Sequence, residues 1–260
     1  MTKPLPVTLI TGASAGIGTE LARICAARGE ALILTARRGE LLEALATELR
    51  QAHGVRVETV AADLADQGAP KILADAVQTL GCEVRTLINN AGFGLRGAFA
   101  ELPLDRLIAM LNLNIVALTR LTGLFLPGML ARREGGIINL ASTAAFQPGP
   151  YMAVYYASKA YVLHLSEAIA YETRGSGVTV TAVCPGPTES EFAEVAGLAG
   201  SRLMHRAAMT SHEVARLAID GHHAGRTLVI TGAGNKLVPW ASRLLPRNLI
   251  LRAVAKLQKT

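Results

Sequence analysis

The chain has 260 residues, half of them apolar, which is enough to bury a complete hydrophobic core in one domain. Its net charge of +6 originates at the C-terminal end, because seven basic residues and no acidic residue follow Asp220, and the first 220 residues sum to about −1. No basic stripe interleaved with aromatic residues is present, which excludes a nucleic-acid-binding body.

Short apolar runs alternate along the chain with longer segments of helical period. Several of the short runs are apolar without polar alternation, as expected of strands covered on both faces. These runs predict strands at residues 7–11, 31–35, 55–61, 86–89, 136–140, 178–183 and 227–230.

The segments between these strands have apolar residues at helical spacing. They predict helices at residues 17–28, 39–53, 69–80, 104–132, 154–174 and 212–223. Strands and helices that alternate in this way imply an α/β fold, a single-domain doubly wound parallel sheet of seven strands with helices on both faces. Residues 188–211 have neither pattern and are predicted to form a mobile loop with short helices.

A glycine-rich turn joins the first predicted strand to the first predicted helix. Its spacing, T-G-x-x-x-G-x-G over residues 11–18, differs from G-x-G-x-x-G, and no Gly-Lys-Ser/Thr follows as in a Walker A loop. Such glycines let the backbone approach a pyrophosphate at the positive end of a helix, although a merely structural turn is the alternative. The predicted dinucleotide-binding residues are Gly12, Ser14, Ala15, Gly16, Ile17 and Gly18.

The second predicted strand is followed by two arginines. NAD-binding folds usually have an acid here, about 20 residues beyond the glycines, to bind the ribose 2′-hydroxyl. This chain has Ala36 followed by Arg37 and Arg38. Because a guanidinium attracts a 2′-phosphate that an acid would repel, these residues favour NADP(H) over NAD(H). The alternative is that both arginines are solvated residues at the start of a helix.

Four further motifs follow in order: Ala-Asp-Leu at 62–64, Asn-Asn-Ala-Gly at 89–92, Tyr-Tyr-Ala-Ser-Lys at 155–159 and Pro-Gly-Pro-Thr at 185–188. With the glycine turn they span about residues 5–190, and the chain thereby resembles the short-chain dehydrogenase/reductase family, whose fold is Rossmann-like.

The resemblance implies roles for these motifs. The residues after the third strand would contact the adenine, those after the fourth would line the cofactor, and those after the sixth would meet the nicotinamide amide. Ser190 stands where the family commonly has Thr and keeps the hydroxyl. The matching residues are Asp63, Leu64, Asn90, Ala91, Gly92, Pro185, Gly186 and Thr188.

Tyr155 and Lys159 are four residues apart on a predicted helix and therefore share one face. Reducing a ketone requires a proton on oxygen, and a phenol with a pKa of about 10 is a sluggish acid-base group near neutral pH. A nearby ammonium is expected to lower that pKa. Tyr151 and Tyr156 compete for the role, but only Tyr155 lies four residues before the lysine. The resemblance implies that Lys159 also holds the nicotinamide ribose.

Ser142 and Asn114 complete the predicted catalytic set. Ser142 follows the fifth strand, thirteen residues before Tyr155, where the family's catalytic serine falls, with Thr143 as the fallback. A hydroxyl there can donate to a carbonyl oxygen. Asn114 lies in an apolar helix, where an amide needs partners. The resemblance implies that it kinks the helix and holds a water linked to the lysine; Asn112 is its competitor.

The predicted substrate is an apolar ketone, acyl or steroid-like carbonyl. The resemblance places Phe93, Phe146 and Met152 near the pocket. The loop over residues 189–209 adds further apolar side chains, namely Phe192, Val195, Leu198, Leu203 and Met204.

Residues 241–260, after a catalytic domain of residues 1–240, are predicted as a basic amphipathic helix. One side carries Leu245, Leu249, Ile250, Val254 and Leu257, and another carries Arg252, Lys256 and Lys259. Such a helix can lie on an anionic membrane or cover a subunit interface. We expect peripheral packing or contact within a homodimer or homotetramer, with membrane contact as the alternative.

A cytoplasmic location is expected. Residues 1–6 lack the regions of a signal peptide, and no run of 18 uninterrupted apolar residues argues for a spanning helix. Cys25, Cys82 and Cys184 are odd in number and widely spaced, which is typical of reduced, mostly buried thiols.

These residues predict an NADP(H)-dependent oxidoreductase that interconverts a carbonyl and a secondary alcohol. No metal is expected, because the six histidines lack ligand spacing. One alternative is a non-catalytic NADP(H)-binding sensor or scaffold, which should lose the Tyr–Lys pair. Another is a nucleotide-sugar epimerase or dehydratase, which is usually longer than a chain with only about 70 residues after Pro187.

Overall fold

A computed structural model describes residues 4–192, 196–197 and 209–258. Its strands are β1 Leu5–Thr11, β2 Leu32–Ala36, β3 Val57–Ala61, β4 Cys82–Asn89, β5 Gly135–Leu140, β6 Val178–Cys184, β7 Thr188–Glu189, β8 Met209–Thr210 and β9 Leu228–Ile230. Seven of them form one parallel sheet in the order β3-β2-β1-β4-β5-β6-β9. The predicted doubly wound α/β sheet is therefore confirmed.

The helices cover both faces of this sheet. They are α1 Gly16–Ala27, α2 Gly39–His53, α3 Ala69–Thr79, α4 Leu104–Leu111, α5 Leu118–Arg132, α6 Ala153–Glu172, α7 Ser211–His223, α8 Val238–Leu244 and α9 Arg247–Gln258. Helices α1, α2 and α7 share one buried apolar cluster, and α3 and α5 share the cluster on the opposite face.

Strand β2 shows why the apolar runs predicted buried strands. All five of its residues are buried, and successive side chains alternate between the two faces. Leu32 and Leu34 join the cluster under α1 and α2, whereas Ile33 joins the cluster under α3 and α5. A strand covered on both sides by helices has no solvent face and therefore needs no polar alternation.

The segment predicted as one helix over residues 104–132 has a π-helical turn at Asn112–Ala117 between α4 and α5. By length and mean hydropathy, 1.6 in its most apolar window, the whole segment could cross a membrane, contrary to the expectation from uninterrupted runs. Buried core helices of soluble proteins can have the same length and mean hydropathy. Here Leu121 and Met129 pack in the core cluster beneath α5, so the segment carries little weight as evidence for a span.

Two other segments differ in part from expectation. Of residues 188–211, predicted to form a mobile loop with short helices, 193–195 and 198–208 lie outside the described residues. At the ends of this segment β7 pairs with β8 in parallel, and Thr210 caps α7 with a capping box. The predicted C-terminal helix over 241–260 is two helices, α8 and α9. Leu245 between them is extended because the residue before a proline, here Pro246, disfavours helical geometry.

His222 on α7 is buried against β5 and β6. A Cβ atom on Gly136 would lie 2.3 Å from His222 Nε2, so only glycine leaves room for the ring. Thr181 Oγ1 donates to the Arg226 carbonyl at 2.8 Å and lies 2.9 Å from His222 Nδ1. Since the hydroxyl has one proton, Nδ1 must donate to it. Burial, followed by the neighbouring His223, lowers the pKa of His222 to about 4.

This pKa predicts an acid-sensitive fold. The unfolded pKa of 6.5 exceeds the folded value of about 4, so the unfolded chain binds more protons between those values. The contribution of the neutral His222 ring to the free energy of unfolding is fully present above pH 6.5. It is lost as the pH falls toward 4, and the loss is on the order of 3 kcal/mol. Urea unfolding at pH 7 and pH 4 should show a smaller decline for His222→Gln than for the parent, whereas His164→Gln at an exposed site should match the parent.

Candidate active site

The glycine turn lies where β1 enters α1, beside the C-terminal end of β4. Gly12 and Gly16 have φ of +66° and +56°, the left-handed region that favours glycine. A Cβ on Gly18 would lie 2.1 Å from the Gly12 carbonyl oxygen, so this glycine permits close packing of helix on loop. No side chain caps α1 at Ala15, and the helix N-terminus is left available to an anion.

Asn90 holds the glycine turn to β4. Its Nδ2 donates to the carbonyl oxygens of Thr11 and Gly12 at 2.9 and 3.1 Å. In return, Thr11 Oγ1 accepts hydrogen bonds from the backbone N–H groups of Asn90 and Ala91, both at 3.0 Å. The Asn90 side chain therefore shapes the turn, a role that the motif alone did not reveal.

The two arginines after β2 point to different partners. Arg38 donates to Ser14 Oγ at 3.3 Å, in the glycine turn, and forms a 2.8 Å ion pair with Glu191. Arg37 is 71% exposed and lies 3.9 Å from the Asp63 carboxylate. Asp63 also accepts from the Ala65 backbone N–H at 3.0 Å. Arg38 is thus the guanidinium that reaches the glycine turn.

Ser142, Tyr155 and Lys159 converge at the carboxyl ends of β5 and β6. Both Ser142 and Tyr155 line the cleft there, and Ser142 Oγ donates to the Pro185 carbonyl oxygen at 3.4 Å. Lys159 Nζ donates to the Leu140 carbonyl oxygen at 2.6 Å and lies 5.9 Å from the centre of the Tyr155 ring. Ser142 Oγ accepts from the Ala144 N–H at 3.1 Å, so the serine also caps a short 3₁₀ turn.

Burial governs both titratable groups of this site. Desolvation raises the pKa of Tyr155 above its usual value, and the nearby Ser142 hydroxyl, which can donate to a phenolate, only partly opposes this rise. Desolvation also lowers the pKa of Lys159 to about 8. The expected lowering of the Tyr155 pKa by Lys159 is therefore wrong for this site, because burial is the largest cause of the shift and raises the pKa. Near neutral pH the phenol keeps its proton and most of the lysine is charged.

Asn114 lies in the π-helical turn, 1% exposed, and its amide is used by three partners. Nδ2 donates to the Phe93 carbonyl at 3.0 Å and to Ser158 Oγ at 3.1 Å, and Oδ1 accepts from the Phe93 N–H at 3.1 Å. A π turn at this place agrees with the predicted irregularity of the helix. The water linked to Lys159 stays a prediction.

Replacing Asn114 by Ala should lower the free energy of unfolding by about 2 kcal/mol, because it leaves both backbone groups of Phe93 without their partner. The matched control is Asn112→Ala, since the Asn112 side chain makes no hydrogen bond within the described residues. Urea unfolding of the two variants measures the difference. An equal loss in both would contradict the tethering of Phe93 by Asn114.

One cleft of about 680 Å³ is lined by most of the predicted site residues. Every predicted cofactor and catalytic residue lines it except Gly18, which lies beneath the turn, and Asn114, which lies behind Phe93. Of the predicted pocket residues, Phe93, Met152 and Phe192 line the cleft. Phe146 does not and packs in a separate core cluster. Val195, Leu198, Leu203 and Met204 lie outside the described residues.

The C-terminal helices supply a wall that the motifs did not predict. Val238 from α8 and Val254, Leu257 and Gln258 from α9 line the cleft. Gln258 Nε2 donates to the Tyr156 hydroxyl at 3.0 Å across 102 residues of sequence. The apolar spacing of α9 was visible in the sequence, but nothing in that spacing identified the surface on which it packs.

The described residues contain no group of three or more His, Cys, Asp or Glu side chains placed to hold a metal ion. Cys25, Cys82 and Cys184 are free and buried, as expected of reduced thiols. The side chains that line the cleft offer hydroxyl, phenol, amide and ammonium groups beside the glycine turn.

The fold and the cleft together define a class, the oxidoreductases that bind a dinucleotide at the carboxyl edge of a doubly wound sheet. The family model for short chain dehydrogenases matches residues 6–198. The chain belongs to this family, as its motifs indicated.

Three similar proteins illustrate the family. Sulfoacetaldehyde reductase 2 of Chromohalobacter salexigens is 40% identical over 188 residues, which cover 72% of this chain and 74% of that protein. A short-chain dehydrogenase from Sphingobium yanoikuyae, solved in complex with NADPH, is 33% identical over 92% of both chains with a TM-score of 0.83. A solved 7β-hydroxysteroid dehydrogenase is 27% identical over 97% of this chain and 98% of that chain, with a TM-score of 0.87.

Proposed function

We propose that the chain is an NADP(H)-dependent enzyme that interconverts a carbonyl and a secondary alcohol on an apolar substrate. The observation that carries this proposal is the convergence of Ser142, Tyr155 and Lys159 in the cleft that also contains the glycine turn and Arg38. A proton donor, a hydrogen-bond donor and a dinucleotide site thus share one space. A sensor without chemistry would have no need to keep the three side chains together.

The residues of the cleft fit NADP(H). Gly12 and Gly16 form a turn that a Cβ would disturb, and the uncapped start of α1 offers backbone N–H groups to the pyrophosphate. Arg38 and the Ser14 hydroxyl lie together where a ribose 2′-phosphate would be bound. The similarity to a relative solved in complex with NADPH also supports NADP(H) as the cofactor. When bound, the cofactor supplies the hydride that the carbonyl carbon accepts.

The chain supplies the proton. Tyr155, protonated near neutral pH, donates its phenolic proton to the substrate oxygen, while the Ser142 hydroxyl hydrogen-bonds that oxygen as charge develops. The Lys159 ammonium beside the ring stabilises the phenolate that remains. Reduction thus consumes one hydride and one proton, and oxidation of the alcohol reverses both transfers.

The walls of the cleft favour an apolar substrate. Phe192 packs against the Tyr155 ring with centroids 5.3 Å apart, and Phe93 and Met152 belong to the same apolar cluster. Val254 and Leu257 of α9 line the cleft as well. The overall likeness to a 7β-hydroxysteroid dehydrogenase supports a carbonyl on a bulky apolar body.

An NADPH-consumption assay at 340 nm tests the proposal with a panel of aliphatic ketones, aldehydes, steroid ketones and 3-oxoacyl thioesters, beside sulfoacetaldehyde. Because each buried methylene is worth about 0.8 kcal/mol, kcat/KM should rise about fourfold per methylene along an aliphatic series until the pocket is filled. Sulfoacetaldehyde, small and anionic, should be the poorer substrate. NADPH binding without oxidation by any carbonyl would instead identify a sensor or scaffold.

A further inference from the structure

An exposed apolar face lies at the C-terminal end of the chain. It consists of Leu237, Trp240, Leu244, Leu245 and Leu249, which we call the C-terminal apolar face. Leu237, Trp240 and Leu244 are 69%, 65% and 77% exposed. They are three and four residues apart and therefore lie on one side of the helical stretch that ends with α8. A cluster of large apolar side chains in water marks a site of association.

Basic side chains are interleaved with this face along the sequence, and we call them its cationic border. The basic side chains there are Lys236, Arg243, Arg247, Arg252 and Lys256, and no acidic residue follows Asp220. Within the described part of the chain none of the five forms an ion pair, whereas in the rest of the fold basic residues such as Arg23 and Arg132 pair with glutamates. Unpaired positive charge therefore accompanies a group of large exposed apolar side chains that includes Leu244, at 77% the most exposed of those described.

The charge identifies the partner. A second copy of the chain on a two-fold axis would bring the same unpaired cations against one another, which costs free energy. An anionic bilayer offers the opposite charge to the border and an apolar interior to the leucines. A tryptophan on such a face is typical of the membrane–water interface.

We propose that the C-terminal apolar face docks the protein on anionic lipid bilayers. Helix α9 has two functions in this arrangement, because it buries Ile250 and Val254 against the active-site cluster and presents Leu249 and Arg252 outward. Since Val238, Val254 and Leu257 also line the cleft, the docked surface adjoins the site. If the substrate is an apolar carbonyl, as the proposed function states, substrate molecules dissolved in the bilayer are within reach of the cleft of the docked protein.

The chain contains its own probe, since Trp240 is its single tryptophan. With the full-length protein, vesicles of phosphatidylcholine containing about 30% phosphatidylglycerol should shift the Trp240 emission to shorter wavelength and carry the protein through flotation. Pure phosphatidylcholine vesicles should do so about tenfold less well, and 0.5 M salt should remove most of the difference.

Variants separate the two parts of the face. Trp240→Ser with Leu244→Ser and, separately, Arg243→Glu with Arg247→Glu should each lower the vesicle partition coefficient at least about tenfold. The matched control is Phe99→Ser with Ile72→Ser, which removes an aromatic and an aliphatic side chain of similar exposure elsewhere on the surface. The control should bind vesicles as the parent does, and circular dichroism and Tm confirm that each variant is folded.

Several outcomes overturn the proposal. These are absence of flotation with anionic vesicles, equal loss in the Phe99 and Ile72 control, and an emission shift that follows protein concentration without lipid, which would assign the face to a second copy. NADPH oxidation of a water-soluble carbonyl is measured on the same preparation. Protein that oxidises NADPH but does not bind vesicles would refute membrane docking alone. Protein that binds vesicles but does not oxidise NADPH would refute the proposed function alone.

Discussion

Tyr155→Phe is expected to lower kcat for carbonyl reduction about 1000-fold while leaving the Kd for NADPH nearly unchanged. The substitution removes one hydroxyl from a buried ring and keeps the packing with Phe192 and Tyr156. Without that hydroxyl, the cleft loses the phenol that we propose as the proton donor to the substrate oxygen. Single-turnover NADPH oxidation and a separate fluorescence titration of NADPH measure the two quantities.

The neighbouring phenols test the assignment. Tyr161→Phe on the outer side of α6 is the matched control, because its hydroxyl bonds Thr119 at 3.0 Å away from the cleft, and kcat should stay within about twofold. Unchanged turnover in Tyr155→Phe, or loss of turnover in Tyr156→Phe alone, would show that another group moves the proton.

Arg38→Ala is expected to raise the KM for NADPH by about 10- to 100-fold and to leave the KM for NADH nearly unchanged. A hydrogen bond to a charged group is worth about 1.5–3 kcal/mol, and only NADPH carries the 2′-phosphate. Arg38 stands beside Ser14 in the glycine turn, whereas Arg37 faces Asp63 at 3.9 Å. Arg37→Ala should therefore have the smaller effect. Steady-state kinetics with both cofactors separates the cases.

Glu191 provides a complementary change at the same place. Its carboxylate accepts from Arg38 at 2.8 Å and lines the cleft, where it would compete with the proposed 2′-phosphate for the guanidinium. Glu191→Gln removes this competing charge and should lower the KM for NADPH a few-fold, since exposed ion pairs are worth about 1 kcal/mol or less. If Arg38→Ala raised the KM for NADPH and the KM for NADH equally, the role of Arg38 would be to hold the segment that contains Glu191 and not to bind the 2′-phosphate.

Much of the fold was predictable because its signals are local. The strands of the sheet begin and end within a few residues of the apolar runs, with β4 extended at its start to Cys82. Tyr155 and Lys159 share a helix face because four residues make about one turn. The glycine turn could be located because few residues other than glycine adopt its φ values or allow its close packing.

Long-range contacts could not be predicted in the same way. Asn114 acts on Phe93 from 21 residues away, and the π turn that contains it shows no sequence period of its own. Assembly into a homodimer or homotetramer and a cytoplasmic location stay predictions. The direction of the Tyr155 pKa shift was also wrong from sequence, since spacing locates the lysine but says nothing about desolvation.

The sequence by itself determined the sheet, the glycine turn, the family and the pairing of Tyr155 with Lys159, because each depends on local backbone geometry or on residues within one turn. Tertiary structure alone decided which arginine reaches Ser14, that Gln258 contacts Tyr156, and that α8 and α9 form both a wall of the cleft and an exposed cationic face. Those outcomes depend on which surfaces meet after the chain has folded, and a one-dimensional pattern does not specify that.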